Sequence, residues 1–322
     1  MKEAPERKNG REGAFAAGKP PEPDDSGFVV AHDGTRIYTE SFGPEDAPVM
    51  VLTDGIVCNG TFYWYIIRDF RDRMRIIRWV YRGHGRSEAP ADFRNLTMDD
   101  FIQDLWSVMD HYGLESAIQV GYSMGVQILL DGIHRHPRRA EALVLIAGGP
   151  GRPLDTFHGN TLLRSALPLI YSLVLGNKNG ITRLWQSVVP TNLIYLIATL
   201  TELDGRMIER DLMMPYFEHL SEMDVELFLT VLASAAGHDA RPFMTELHHP
   251  ALVVGGTHDN FTPFSLSEEM SEALPHAELL RVKGGTHSLA IEQPDLVNLK
   301  MEDFLTKRGL LPVRKRMGFR AR

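Results

Sequence analysis

Short apolar runs of strand length recur between stretches of helical periodicity, and this alternation leaves the chain few folds to choose from. Residues 48–53 and 142–147 each read as a buried strand, 75–80 as the strand that follows the first, and 117–120 as an apolar run of strand length. Between the first two, residues 62–73 are aromatic and amphipathic and predict a helix. Between the next two, Thr97 caps a second helix, with Asp99 and Asp100 in its first turn, where the helix dipole favours negative charge. Its apolar stripe of Phe101, Leu105, Val108 and Met109 ends at Gly113. Strand, helix and strand in regular succession predict an α/β fold with a mostly parallel central sheet and helices on both faces. Upstream, residues 28–30 and 36–42 flank the turn chemistry of His32-Asp33-Gly34-Thr35, which predicts an antiparallel hairpin.

The alternation breaks at Gly151. From there to about Ala240 no buried strand is evident, while helical periodicity and methionines (Met207, Met213, Met214 and Met223, with Met244 just beyond) increase. Alternation then resumes with a strand at 251–255, a helix at 265–274, a strand at 277–282 and a final helix toward Leu305. The expected organisation is a core of residues 27–150 and 241–306, split after the sixth strand by a helical cap at 151–240. Residues 1–26 are charged and rich in Pro, Gly and Ala, so they read as a disordered leader without the apolar segment of a secretion signal. Residues 307–322, with Arg314-Lys315-Arg316, read as a solvated basic tail.

Composition narrows the function classes. A 43% apolar and 24% charged chain of 322 residues with net charge −8 suits a globular protein and opposes a nucleic-acid surface. A single cysteine, Cys58, excludes an internal disulfide and a cysteine-based zinc site, and fits a reducing, cytoplasmic setting. No apolar run reaches the ~18 residues of a spanning helix. The longest, residues 166–175, contains Pro168 and is expected to line a pocket or pack in a core.

Chemistry enters at Gly121-Tyr122-Ser123-Met124-Gly125, a G-x-S-x-G turn between a strand and the apolar start of a helix. It reads either as a glycine-rich turn holding an ordinary serine or as a tight turn that lifts Ser123 to a strand end as a nucleophile. A serine hydroxyl needs a base within hydrogen-bond reach and a third group to orient that base. Later strands end at the same sheet edge: 251–255 leads into Gly256-Thr257-His258-Asp259, and 277–282 leads into Lys283-Gly284-Gly285-Thr286-His287. The order Ser123, Asp259, His287 is the chain order of such triads. His258 adjoins the acid and should point elsewhere, while His248 and His249 precede Pro250 at the opposite strand end and read as structural.

With these residues in hand, the chain resembles the α/β-hydrolase superfamily from about residue 27 to 306. The resemblance rests on R-G-H-G-R-S at 82–87, G-Y-S-M-G at 121–125, G-T-H-D-N-F-T-P at 256–263 and G-G-T-H-S at 284–288. It implies that His287 takes and returns the Ser123 proton and that Asp259 fixes the imidazole. It also implies an oxyanion hole formed by the N–H groups of Ile56 and Met124, with His84 in a turn bracing the active-site loops. Where the family usually has His-Gly, this chain has Asp54-Gly55. An ionised carboxylate facing an oxyanion would oppose catalysis, so Asp54 is expected to accept loop N–H groups and brace the loop. Cys58 reads as a small buried residue.

The cap holds Leu162, Leu163, Leu167, Ile170, Tyr171, Leu184, Trp185, Leu193, Tyr195, Tyr216 and Phe217, some of which should face the site. An apolar roof suits a hydrophobic small molecule, and carboxylic-ester hydrolysis is the expected chemistry. Acyl transfer, carbon–carbon bond cleavage by the same triad, and a non-catalytic ligand-binding role are the alternatives. Serine at 123, where dehalogenating relatives carry aspartate, opposes the covalent-aspartate routes. No cofactor is implied, and no histidine or carboxylate cluster has metal spacing.

Overall fold

A computed structural model describes residues 20–156, 161–201, 203–208 and 210–312. Eight strands form one sheet: β1 (Asp25–Val30), β2 (Arg36–Phe42), β3 (Val49–Thr53), β4 (Arg75–Trp79), β5 (Ala117–Tyr122), β6 (Ala140–Ile146), β7 (Ala251–Gly256) and β8 (Ala277–Val282). Their order is β1-β2-β4-β3-β5-β6-β7-β8. The β1/β2 hairpin and the β2/β4 pair are antiparallel, and all other pairs are parallel.

Register explains why the central strands are apolar without alternation. Leu52, Val120, Val144 and Leu252 stand side by side across β3, β5, β6 and β7 and feed one core. Their neighbours Val51, Leu143 and Ala251 point to the other face and feed a second core. Each such Val or Leu side chain contributes about 1.5–3 kcal/mol by leaving water. The polar Gln119 shares that second row, and its amide donates to Arg139 O at 3.1 Å.

Helices α2 (Met98–His111), α3 (Met124–Arg135) and α9 (Phe264–Ala273) cover the second face, and α1 (Trp64–Phe70), α10 (Leu289–Glu292) and α11 (Pro294–Lys307) cover the first. The first turn of α2 is closed as its sequence predicts: the Asp100 carboxylate accepts the Thr97 N–H at 2.8 Å. The helix expected at 62–73 is shorter, a 3-10 turn at Thr61–Tyr63 followed by α1.

Between β6 and β7 lie α4 (Leu162–Gly176), α5 (Lys178–Val188), α6 (Asn192–Thr201), α7 (Arg210–Glu222) and α8 (Val225–Gly237). The two ends of this insertion meet at a bridge between Gly151 and Asp239.

Two terminal expectations need correction. Residues 1–19 lie outside the described residues, but the rest of the expected leader is structured, because β1 begins at Asp25 and Asp24 is tied down. The Asp24 N–H donates to Ser41 O at 2.9 Å, and its carboxylate accepts from Gly43 N–H at 2.7 Å and from Arg71 at 2.8 Å. At the other end, Lys307 closes α11, Arg308 pairs with Glu278 at 2.9 Å, and Leu311 is buried. Arg314, Lys315 and Arg316 lie outside the described residues.

Candidate active site

The site grows from the end of β5. Ser123 has φ +53°, a conformation that costs a non-glycine residue energy and is kept only where the surroundings impose it. What imposes it is the tight passage from strand to helix. A β-carbon at Gly125 would stand 2.1 Å from Thr53 O, so only glycine lets α3 start against the end of β3.

β7 and β8 deliver the partners. The Asp259 carboxylate accepts the N–H groups of Phe261 and Thr262, each at 2.8 Å, on one oxygen. On the other it accepts the Thr262 hydroxyl at 2.8 Å and meets His287 Nδ1 at 2.9 Å. His287 Nε2 lies 3.0 Å from Ser123 Oγ. An ionised carboxylate only accepts, so Nδ1 carries the imidazole proton and Nε2 is left to accept from the serine. The structure thus brings the three sequence-predicted residues into one hydrogen-bonded line, able to draw a proton from Ser123.

Sequence reasoning missed two supports of that line. The Tyr122 hydroxyl donates to His287 O at 2.8 Å and fixes the backbone that carries the imidazole. Thr262 cradles Asp259, and its position three residues after an aspartate in a turn is a local signal that could have found it. Tyr122 sends no such signal, since its partner is 165 residues away.

The other histidines singled out from the sequence stand apart from this line. His258 lines a surface depression beside Asp204. His249 meets Pro137 O at 2.6 Å, and His248 packs near His276. His84 is buried with Nδ1 3.1 Å from Arg82 O, and burial depresses its pKa to about 4, which keeps it neutral. Its turn is anchored by Arg82, which grips Asp104 with two bonds of 2.7 and 2.6 Å and reaches Asp33 at 2.8 Å.

The loop after β3 forms the opposite wall. The Asp54 carboxylate accepts Gly55 N–H at 3.1 Å and Gly60 N–H at 2.7 Å, and the Tyr81 hydroxyl donates to the Asp54 carbonyl. Burial pushes the Asp54 carboxyl up to about 6, against the pull of Arg78 and the two N–H donors. A β-carbon at Gly55 would stand 3.0 Å from Ser123 Cβ, so the loop backbone passes directly over the serine. Ile56 and Met124 line the same cavity as Ser123. Cys58 is buried, and that burial raises its thiol pKa well above the usual range.

The cavity above Ser123 has a volume of about 520 Å³. Of the cap residues singled out from sequence, Leu163, Leu167, Ile170, Trp185 and Tyr216 line it. Phe217 is core, Tyr171 meets the Thr230 hydroxyl at 3.3 Å, and the Tyr195 hydroxyl donates to Ile208 O at 3.1 Å. Leu162, Leu184 and Leu193 face outward. Thr262, Gln127, Tyr216 and Trp185 bring polar groups to the lining besides Ser123; the Gln127 amide donates to Ala235 O at 3.0 Å and the Trp185 indole N–H to Leu220 O at 2.9 Å. Among the described residues no group of three or more His, Cys, Asp or Glu is placed to hold a metal, and no helix is long and apolar enough to cross a membrane.

Comparison with known proteins gives the family. The family model for the alpha/beta hydrolase fold matches residues 48–294. RutD of Agrobacterium fabrum, provisionally named a carbamate hydrolase, is 26% identical over 264 residues, covering 81% of this chain and 94% of its own. The bifunctional esterase/perhydrolase DCH of Acinetobacter calcoaceticus is 20% identical over 295 residues, covering 87% and 99%. The crystal structure of the enol-lactonase from Burkholderia xenovorans LB400 superposes with a TM-score of 0.68 at 22% identity, covering 87% of this chain and 100% of that one. The chain belongs to the alpha/beta hydrolase fold family. It is a hydrolase on that scaffold.

Proposed function

We propose that this hydrolase cleaves a carboxylic ester, or a related acyl bond, of a hydrophobic small molecule through an acyl-enzyme on Ser123. The observation that carries the reading is the Ser123–His287–Asp259 line opening directly into an apolar cavity. Ser123 Oγ attacks the substrate carbonyl carbon while its proton passes to His287 Nε2, and Asp259 stabilises the imidazolium. The tetrahedral oxyanion is received by the N–H groups of Ile56 and Met124, each worth about 3–4 kcal/mol of barrier. As the carbonyl reforms, the leaving alcohol takes the proton from Nε2, and water repeats the sequence to release the acid. The carboxylate of Asp54, occupied by Gly55 and Gly60, leaves this charge unopposed.

The volume falls within the 300–1,000 Å³ usual for small-molecule sites, and the apolar roof supplies burial for an acyl or alkyl chain. Residues 151–240 serve in this reading as the cap. The esterase named among the relatives supports ester chemistry, and the carbamate hydrolase name supports extension to a related acyl bond.

The test combines a fluorophosphonate probe with p-nitrophenyl esters of increasing chain length. The folded protein should be labelled at Ser123 and hydrolyse at least one ester, and Ser123→Ala should lose both, the rate falling at least about a thousandfold. An unlabelled Ser123 in folded protein refutes the nucleophile. Labelling with every ester intact refutes the ester substrate and leaves the nucleophile standing.

A further inference from the structure

Five side chains bring hydrogen-bond donors to the described wall of the cavity, and four of them are spent on the protein itself. The Ser123 hydroxyl faces His287 Nε2 at 3.0 Å, and the Thr262 hydroxyl donates to Asp259 at 2.8 Å. The Trp185 indole donates to Leu220 O at 2.9 Å, and the Gln127 amide nitrogen donates to Ala235 O at 3.0 Å with His238 Nδ1 3.4 Å away. The fifth is the Tyr216 hydroxyl, which has no hydrogen-bond partner among the described residues. Tyrosines beside it lack this freedom: the hydroxyls of Tyr63, Tyr81 and Tyr122 donate to the carbonyls of Thr53, Asp54 and His287. Tyr216 is partly buried and its oxygen is not one of the sealed, unpartnered polar atoms, so it meets open space, and the space this residue lines is the cavity. A donor that the fold leaves unpaired at a binding surface is one that a ligand can satisfy.

Its neighbours set its place. Helix α7 buries six of its 13 residues and seats Tyr216 edge-on against Phe62 of the 3-10 turn, with ring centroids 5.6 Å apart. Phe62 in turn stacks at 4.5 Å on Tyr122, the residue before Ser123. The ring is therefore fixed to the core through two aromatic contacts. Burial first, then the Cys58 thiol and the Asp54 carboxyl, push the Tyr216 hydroxyl above its ordinary pKa, so it stays a donor at neutral pH. Cys58 and Asp54 belong to the loop that passes over Ser123. The Tyr122 hydroxyl, which holds His287 O, is raised chiefly by burial, with Tyr216 among the groups that add to the shift. The free hydroxyl thus neighbours both the loop that carries Ile56 and the strand end that carries Ser123.

We propose that Tyr216 is a further catalytic residue, whose hydroxyl donates a hydrogen bond to an oxygen of the substrate's acyl group while that group reacts on Ser123. No proton leaves the tyrosine, and the bond strengthens as negative charge gathers on the oxygen. The inference rests on the acyl-enzyme reading above and narrows its substrate. With no other free side-chain donor in the described wall, the cavity suits an apolar chain whose polar atoms are confined to the bond being cleaved.

Tyr216→Phe tests it, because the variant loses the hydroxyl and keeps the ring on Phe62, so Tm should stay within about 2 °C of wild type. For an ester that the wild type accepts, kcat should fall about ten- to hundredfold with KM within about threefold. Tyr65→Phe, which removes a hydroxyl outside the cavity, should change neither. A trifluoromethyl ketone of matching chain length forms a tetrahedral oxyanion on Ser123 and protects it from a fluorophosphonate. Tyr216→Phe should need at least about tenfold more ketone than wild type for equal protection. Protection is read without turnover, so it decides the role of Tyr216 even where no ester of the panel is cleaved. Equal protection of the two proteins, or ester hydrolysis by Tyr216→Phe within about threefold of wild type, overturns the proposal, while a labelled Ser123 leaves the acyl-enzyme reading intact. An unlabelled Ser123 in folded wild type defeats that reading and this proposal together.

Discussion

The serine side of the site and the helices that roof it are built on opposite terms. Ser123, Asp259 and His287 each follow the C-terminal end of a strand, β5, β7 and β8, in the parallel part of the sheet, and the acid, the base and the loop facing them are held by named hydrogen bonds. Among α4 and α5, by contrast, only Leu167 and Val174 are buried, where α2 alone buries eight residues. Fewer buried contacts mean a lower local cost of opening. In the proposed reading, reaction class and substrate choice then fall to parts of unequal packing: a frame that cannot shift without losing contacts, and outer roof helices, α4 and α5, that lose few.

The frame is broken most severely by Asp259→Asn. The amide cannot hold the imidazole in the tautomer that leaves Nε2 free, so kcat should fall by about four orders of magnitude, with Tm little changed. Steady-state kinetics on an ester that the wild type accepts, with circular dichroism as the fold control, decides it. An effect under tenfold would mean that another group orients His287.

The roof should respond in substrate range instead of rate class. Leu232→Trp fills part of the cavity from α8. For the longest ester the wild type accepts, kcat/KM should drop about ten- to hundredfold, while for the shortest it should stay within about twofold. A uniform loss across chain lengths would show that the cavity does not receive the chain.

The same contrast governs what could be read from sequence. Ser123, Asp259 and His287 were legible because each follows a short apolar run directly and sits among glycines, so local patterning fixes its place on the sheet edge. Asp54 was legible as an acceptor of loop N–H groups once the family resemblance set its loop beside the oxyanion and electrostatics turned the carboxylate away, and that carboxylate meets the N–H groups of Gly55 and Gly60. In the roof, residue type carries no such information. Leu167 lines the cavity and Leu169 faces outward, yet nothing in their chemistry separates them, and the run 166–175 expected to turn inward is divided between the two sides. The start of β1 was hidden for a related reason: Asp24 is anchored by Arg71, 47 residues away, a contact that only the folded chain creates.

Between frame and roof lies the Asp54 loop, and its loss should be felt as stability. Asp54→Asn keeps the shape but presents an amide N–H₂ to one of two loop donors, leaving a buried donor unpaired at a cost of about 1–3 kcal/mol. Thermal unfolding should start about 2–10 °C lower. A variant with wild-type Tm and activity would remove the bracing role.

The smallest effect falls where α7 of the roof meets the glycine turn of the frame. A β-carbon at Gly85 would stand 3.4 Å from His219 Cε1, and the Nε2 atoms of His219 and His84 are both buried without a protein partner. Burial depresses His219 to about 4, with Arg78 adding to the shift. A histidine depressed in the folded state binds its proton more tightly when unfolded, so its contribution is intact above the unfolded value of about 6.5 and is lost as pH falls toward 4. For His219 alone that loss is at most about 2 kcal/mol at pH 5. Asp54 opposes it, because a carboxyl raised to about 6 takes up a proton in the folded state first and stabilises it as pH falls through that value. His219→Leu removes its own term and leaves that of His84, also depressed to about 4, and the opposing one of Asp54, so the drop in Tm between pH 7 and pH 5 should shrink in the variant. If wild type and variant lose the same Tm over that interval, the acid sensitivity belongs to the frame and the junction with the roof carries none of it.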